Sequence, residues 1–232
     1  MPRTALILAA GPGIGAHCIS LFRAAGYNVV AASRSRQESL RAPNHLDLHL
    51  DLSKPDTLPE LFAKVREHFE HPSVVIYNGF ARTLVPAENP LGSISQECIE
   101  HDMAVNITSA LIAGREAVNG WEQAGGQANG TFIYTGNKQN VMADPKALTF
   151  GMAKCAAAKM MWDCSVAYAQ RGFRFYFTDQ RKADGSPARE MMDPMARAAL
   201  YVELAADGGQ QPWHYTFVKG IGYVDFRSKD NA

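Results

Sequence analysis

TALILAAGPGIGAH, residues 4–17, sets a short apolar run directly against a glycine-rich turn and the first residues of a helical pattern. The run TALILA (4–9) shows no polar alternation, which reads as a strand covered on both faces. Behind it, Gly11, Gly13 and Gly15 leave the backbone free to approach a phosphate closely. The helix that begins there adds free N–H groups and partial positive charge. Strand, turn and helix in this order make a dinucleotide-binding turn, with Gly11, Gly13, Ile14 and Gly15 against the pyrophosphate. Two registers fit: Gly11-x-Gly13-x-x-Ala16, or a GxxxGxG pattern in which Ala9 replaces the first glycine.

The same alternation continues along the chain. Buried-strand runs are expected at 27–32, 44–50, 73–77, 130–135, 173–178 and 213–220, which with 4–9 makes seven. Between them, helical periodicity covers 13–25, 55–69, 95–122, 146–171 and 194–206. Strands separated by helices predict an α/β fold: one doubly wound, Rossmann-like domain over residues 1–232, a parallel seven-stranded sheet with helices on both faces. In such a fold ligands bind at the carboxyl ends of the strands.

Composition narrows the function classes. Acidic and basic residues balance at 23 each, which leaves no electrostatic footprint for nucleic acid or an anionic membrane. No apolar run approaches the ~20 residues of a membrane span. The opening residues lack a small-residue cleavage site and read as a strand rather than a signal peptide. Cys18, Cys98, Cys155 and Cys164 form no CxxC pair and no cluster with histidines, so no metal site or disulfide framework is expected. Free thiols fit a reducing cytoplasm.

After the second strand, an acid would hold both ribose hydroxyls of NAD. Here the chain reads Ser33-Arg34-Ser35-Arg36 instead. Guanidinium and hydroxyl groups suit a 2′-phosphate, so the expected cofactor is NADP(H), with Ser33 and Arg34 at that phosphate.

With these elements placed, the sequence resembles the short-chain dehydrogenase/reductase family over nearly its whole length. AAGPGIG resembles the family's glycine turn, and Asp51-Leu52-Ser53 its adenine-contacting motif. Tyr77-Asn78-Gly79 is similar to the NNAG turn, Asn106 in MAVNITSA to the helix asparagine of the proton relay, and Lys154 to the lysine of YxxxK. The resemblance implies a tyrosine that protonates a substrate carbonyl, a lysine that lowers its pKa and holds the nicotinamide ribose, and a serine that orients the carbonyl. It also implies a homodimer or homotetramer built on the two long helices.

The departures fall at the chemistry. In ALTFGMAKCAAAK (147–159) Phe150 stands at the tyrosine position, and Asn137 stands where the family's serine would be. Gln180-Arg181 replaces the Pro-Gly that covers the nicotinamide, and the lid at 181–193 is short. Phenylalanine has no proton to give. The acid would then come from Lys138, Tyr134, Tyr77 or His101, or from a water held by Asn106 and Lys154, or be unnecessary for an iminium substrate. Asn137 can still donate to a carbonyl or imine. Two functions follow: an NADP(H)-dependent reductase of a small or medium C=O or C=N compound with an altered proton donor, or a non-redox relative serving as isomerase, cyclase or regulatory binding module.

Overall fold

The computed structural model describes residues 3–125 and 129–230. Its strands are β1 (Thr4–Leu8), β2 (Asn28–Ser33), β3 (Ser39–Ala42), β4 (His45–His49), β5 (Val74–Tyr77), β6 (Thr131–Thr135), β7 (Arg174–Arg181), β8 (His214–Val218) and β9 (Gly222–Tyr223). They form one nine-stranded sheet in the order β3-β4-β2-β1-β5-β6-β7-β8-β9. The seven expected strands are all present and parallel. The expected count of seven is corrected by two antiparallel edge strands, β3 and β9.

Both additions lack an apolar signature. β3 is half-exposed and follows a charged turn, and it is held to β4 by the Arg41–Asp47 ion pair at 2.8 Å beside Arg36–Asp47 at 2.5 Å. β9 is two exposed residues folded back on β8 through Gly220 and Gly222, whose positive φ angles (77° and 94°) suit glycine. By contrast β1 and β5 are buried at every residue, because helices cover both sheet faces.

The helices are α1 (Ile14–Ala24), α2 (Leu58–His68), α3 (Pro90–Ser93), α4 (Gln96–Met103), α5 (Ser109–Gln123), α6 (Leu148–Ala167), α7 (Pro194–Ala206) and α8 (Arg227–Asp230). Side chains of α1 and α7 pack with Ala5, Ile7, Val29 and Ile133 on one face. Those of α2, α5 and α6 pack with Leu6, Leu8, Val75 and Phe132 on the other. Successive strand residues thus feed opposite layers, as the pleat requires.

The helix expected over 95–122 is interrupted by a π turn at Ala104–Thr108 that joins α4 to α5. Such turns release backbone groups from the helical ladder. Here Asn106 Nδ2 donates to the Asp102 carbonyl at 2.8 Å, and the Asn106 carbonyl accepts from Tyr134 Oη at 3.0 Å.

The chain winds from β1 to β2 and β4 on one side, then returns to β5 and proceeds to β6, β7 and β8 on the other. This reversal opens a crevice at the carboxyl ends of β1 and β5. The glycine turn sits there. A Cβ on Gly15 would lie 2.6 Å from Ala10 Cα, so only glycine allows this approach of α1 to β1. Gly15→Ala is expected to destabilise the protein by about 1–3 kcal/mol, the usual cost of overpacking. Urea titration checks this; an unchanged midpoint would show that the turn relaxes freely.

Candidate active site

Two adjoining clefts occupy the crevice, with volumes of about 870 Å³ and 820 Å³. They share Gly79, Phe80 and Arg82 as walls. Gly11, Ser33, Arg34, Asp51 and Leu52 line the smaller cleft, and Gly13, Ile14, Asn78, Asn137, Phe150 and Lys154 line the larger. Of the residues singled out from sequence, Gly15, Arg36, Tyr77, Asn106, Tyr134 and Arg181 are among those that line neither.

The glycine turn has the geometry of an anion site. Gly13 precedes α1, no side chain caps that helix, and no acid lies in its first turn. A Cβ on Gly13 would meet nothing within 4 Å, so the space before the helix is open. Ala9 adopts a left-handed backbone with φ of 59°, the conformation that a leading glycine would supply. Together with the crowded Gly15, this geometry matches the GxxxGxG register with Ala9 in first place. Asn78 Nδ2 ties the turn to β5 by donating to the Ala9 carbonyl at 3.2 Å. Gly79 is bare because a Cβ there would stand 2.2 Å from a Leu52 methyl group.

Beyond β2 the two arginines have different tasks. Arg36 is committed to the fold, bonded to Asp47 and, at 3.3 Å, to the Ala10 carbonyl. Arg34 is exposed beside the cleft and makes no hydrogen bond or ion pair among the described residues. Ser33 Oγ and Ser35 Oγ lie 3.3 Å apart. Asp51 Oδ1 accepts from Ser53 N and Ser53 Oγ at 3.0 and 2.8 Å, which fixes the carboxylate at the cleft wall. The residues present thus fit a phosphorylated dinucleotide: an uncapped helix start, a free guanidinium and an anchored carboxylate.

Lys154 lies on the floor of the larger cleft and is only 2% exposed. Its Nζ donates to the Thr135 carbonyl at 3.1 Å and to Tyr134 Oη at 3.5 Å. It also lies 4.5 Å from the centroid of the Tyr134 ring and 5.1 Å from that of Phe150. Burial, with Arg197 adding repulsion against a smaller pull from Asp179, brings the ammonium down to about 7. One turn before it on α6, Phe150 is buried, and its ring meets the exposed Phe80 edge-on at 6.0 Å. Asn137 Oδ1 accepts from Gln139 N at 3.0 Å, leaving the amide NH₂ unengaged among the described residues.

The remaining proton-donor candidates separate clearly. Tyr134 and Tyr77 are fully buried, and burial pushes both phenols well above their ordinary range. Their hydroxyls are spent on the Asn106 and Val105 carbonyls. His101 lines the smaller cleft, away from Phe150. Lys138 lines the larger cleft but is tethered to the Gly185 carbonyl at 3.0 Å and to Asp230 at 3.5 Å. Asn106 does not reach Lys154: its side chain is used by Ala81 and Asp102, and the Tyr134 hydroxyl stands between the two where a relay water was expected.

Where a Pro-Gly turn was expected to differ, β7 simply continues, pairing Gln180 with Phe217 and Arg181 with Val218. Buried Arg181 is bonded to Asp179 and, at 2.9 Å, to Asp230. Gln180 Oε1 accepts from Asp193 N at 2.9 Å and its amide donates to the Met191 carbonyl at 3.3 Å, which pins the short lid. Pro187, Ala188, Arg189 and Met192 of that lid face the larger cleft. Sequence reasoning missed Phe80, Arg82, Arg189 and Arg197 as lining residues. Phe80 and Arg82, in the loop directly after Tyr77-Asn78-Gly79, could have been found by extending that motif; the two later arginines carry no local signal.

Known proteins are similar to this chain. A family model described as Enoyl-(Acyl carrier protein) reductase matches residues 8–161, from the glycine turn through the Lys154 helix. A short chain dehydrogenase/reductase, dmxR12, of Cryptosporiopsis sp. (strain 8999) is 35% identical, the match covering 95% of this chain and 94% of that protein. A glucose 1-dehydrogenase of Gluconobacter oxydans (strain 621H) is 25% identical, covering 73% of this chain and 65% of its own. Among solved structures, 4-hydroxyisoleucine dehydrogenase complexed with NADH superposes with a TM-score of 0.77 at 16% identity, over 94% of this chain and 97% of that one. A short chain dehydrogenase from Bacillus anthracis str. 'Ames Ancestor' gives 0.77 at 17% identity, over 94% and 95%. With the glycine turn, the crevice and the lysine helix all within the matched region, the chain belongs to the short-chain dehydrogenase/reductase family.

Proposed function

We propose that this chain is an NADP(H)-dependent reductase of a small or medium C=O or C=N compound, in which Lys154 takes over the proton donor's part from the missing tyrosine. The observation that carries this reading is Lys154 itself: a buried cation on the cleft floor, next to the phenylalanine that stands in the tyrosine's place. The family is one of oxidoreductases. A nicotinamide cofactor, when bound, supplies the hydride. Gly13 and Ile14 would hold its pyrophosphate, Ser33 and Arg34 its 2′-phosphate, Asp51 and Leu52 its adenine, and Lys154 its nicotinamide ribose.

An ammonium has three N–H donors. Thr135 and Tyr134 take two in Lys154, and the third is left for the cleft, where the nicotinamide ribose and the substrate would share it. A group with a pKa near 7 is well matched to proton transfer at neutral pH. Asn137, with its NH₂ free, would orient the substrate oxygen or nitrogen. Phe150 and Phe80 form an apolar wall that keeps water from the reacting atoms. Exposed Met152, Trp162 and Val166 on α6, with Leu111 on α5, support a dimer or tetramer joined through these helices. Among the described residues no helix is long and apolar enough to cross a membrane.

Three outcomes test the reading. Arg34→Ala is expected to weaken NADPH by about tenfold or more while leaving NADH nearly unchanged, measured by cofactor fluorescence; equal losses would remove the 2′-phosphate from Arg34. Because Lys154 donates only as the ammonium, reduction of a ketone should fall as pH rises through about 7. An iminium acceptor, which needs no proton, should show no such fall, and parallel profiles for both would exclude Lys154 as the donor. Phe150→Tyr should leave ketone reduction of the same order at neutral pH and sustain it above pH 7, since the tyrosine adds a second acid beside Lys154. A gain of about 10²–10⁴-fold, the usual worth of a general acid, would show that Lys154 was not acting as one. If neither protein reduces any ketone or imine while both bind cofactor, the isomerase, cyclase or binding-module reading takes its place.

A further inference from the structure

Three arginines are buried in this fold, and they are served very unequally. Arg181 has two carboxylates, Asp179 and Asp230, and the Gly185 carbonyl. Arg174, at the far end of the sheet from the crevice, donates through Nη2 alone to oxygens of Asn129, Thr131 and Ala205, and its Nε and Nη1 are buried with no partner among the described residues. Arg197, on α7 and 2% exposed, has one: its Nη1 donates to the Gly136 carbonyl at 3.1 Å. Its Nε is buried with no partner, and it forms no ion pair among the described residues. Asp193, one turn earlier, is occupied in capping α7 and pairing with Lys219.

Arg197 is the one of the three that lines the larger cleft. Across that cleft stands Lys154, a second buried cation, which repels it. The buried carboxylate of Asp179 feels the Arg197 charge, but it is bonded through Oδ2 to Arg181 and makes no hydrogen bond or ion pair with Arg197. A buried guanidinium without a hydrogen-bonded counter-ion is costly. Arg174 bears that cost inside the fold, whereas at Arg197 the deficit faces a cleft, where a guest can supply the missing charge.

The mouth of the cleft repeats the sign. Arg82, Lys146 and Arg189 line it from three different loops and make no ion pair among the described residues. Asp144 is the single acid in the lining, and its Oδ2 already accepts from Gln139 at 2.8 Å. Arg189 is held with φ of +45°, a left-handed backbone that is strained for a long side chain.

We propose that Arg197 is the oxyanion receptor of the larger cleft, pairing bidentately with a phosphate or carboxylate of the bound guest, with Arg82, Lys146 and Arg189 drawing that anion in. Phosphate and carboxylate present the same paired oxygens to a guanidinium. The oxyanion belongs either to the cofactor's pyrophosphate, since Gly13 and Ile14 share this lining, or to an acidic substrate. The assignment rests on the cleft being a dinucleotide and substrate site, but not on hydride transfer.

The test compares wild type, Arg197→Gln and Arg197→Lys in two titrations: NADPH and NADH separately, then malonate against its neutral diamide on the NADPH-saturated protein. An oxyanion receptor predicts a loss of about tenfold or more in Arg197→Gln and partial recovery in Arg197→Lys. Equal loss of NADPH and NADH assigns the pyrophosphate, which both carry, and so differs from the NADPH-selective loss expected at Arg34. Loss of malonate alone, with the diamide unaffected, assigns an acidic substrate. If Arg197→Gln does not fold, wild type decides: malonate should raise its melting temperature and the diamide should not. The proposal is overturned if the folded variant binds both cofactors and malonate as wild type does, or if wild type shows no response to any of these anions.

Discussion

A parallel sheet buried on both faces admits no short return between its strands, and this single constraint organises the molecule. The parallel strands must be joined by crossovers, so all seven of them end at the same edge. The loops that carry Gly13, Arg34, Asp51, Asn78 and Asn137 are brought together by that requirement alone. Nothing in their own sequences attracts them. The order reversal between β1 and β5 leaves the gap into which they project.

Within that frame, one charge dictates much of the local detail. An ammonium removed from water must find oxygens or a π face. Lys154 finds the Thr135 carbonyl and the Tyr134 ring, both on β6. Tyr134 in turn is sandwiched between Tyr77 and Phe177, at ring separations of 5.3 and 5.8 Å, on strands whose register sets these three residues side by side. Its hydroxyl reaches the carbonyl that the π turn at Asn106 releases. An aromatic row, a helix irregularity and a depressed lysine pKa are thus parts of one arrangement for holding a cation out of water.

The sequence makes the parallel strands, the helices and the glycine turn legible because burial on two faces leaves unbroken apolar runs, and because helix periodicity survives wherever one face meets the sheet. It does not reveal β3, whose pairing depends on Asp47 bonding to arginines rather than on apolar residues. The choice between the two glycine registers is also invisible until Ala9 is seen in a left-handed conformation. In the site, residues carried by a local motif, such as Arg34 and Lys154, can be picked out by position. Arg197 cannot, since its significance comes from a missing counter-ion, and only three dimensions show what a side chain lacks. By its residue type Tyr134 could serve as an acid; its place in the fold is as a prop for Lys154.

The Tyr134 hydroxyl has one more effect. By bonding the Asn106 carbonyl it plugs the rear of the lysine pocket with protein where a chain of waters could otherwise run to bulk. In the proposed reaction, a proton given up by Lys154 would therefore return through the mouth by which ligands enter, and reloading would wait for a guest to leave.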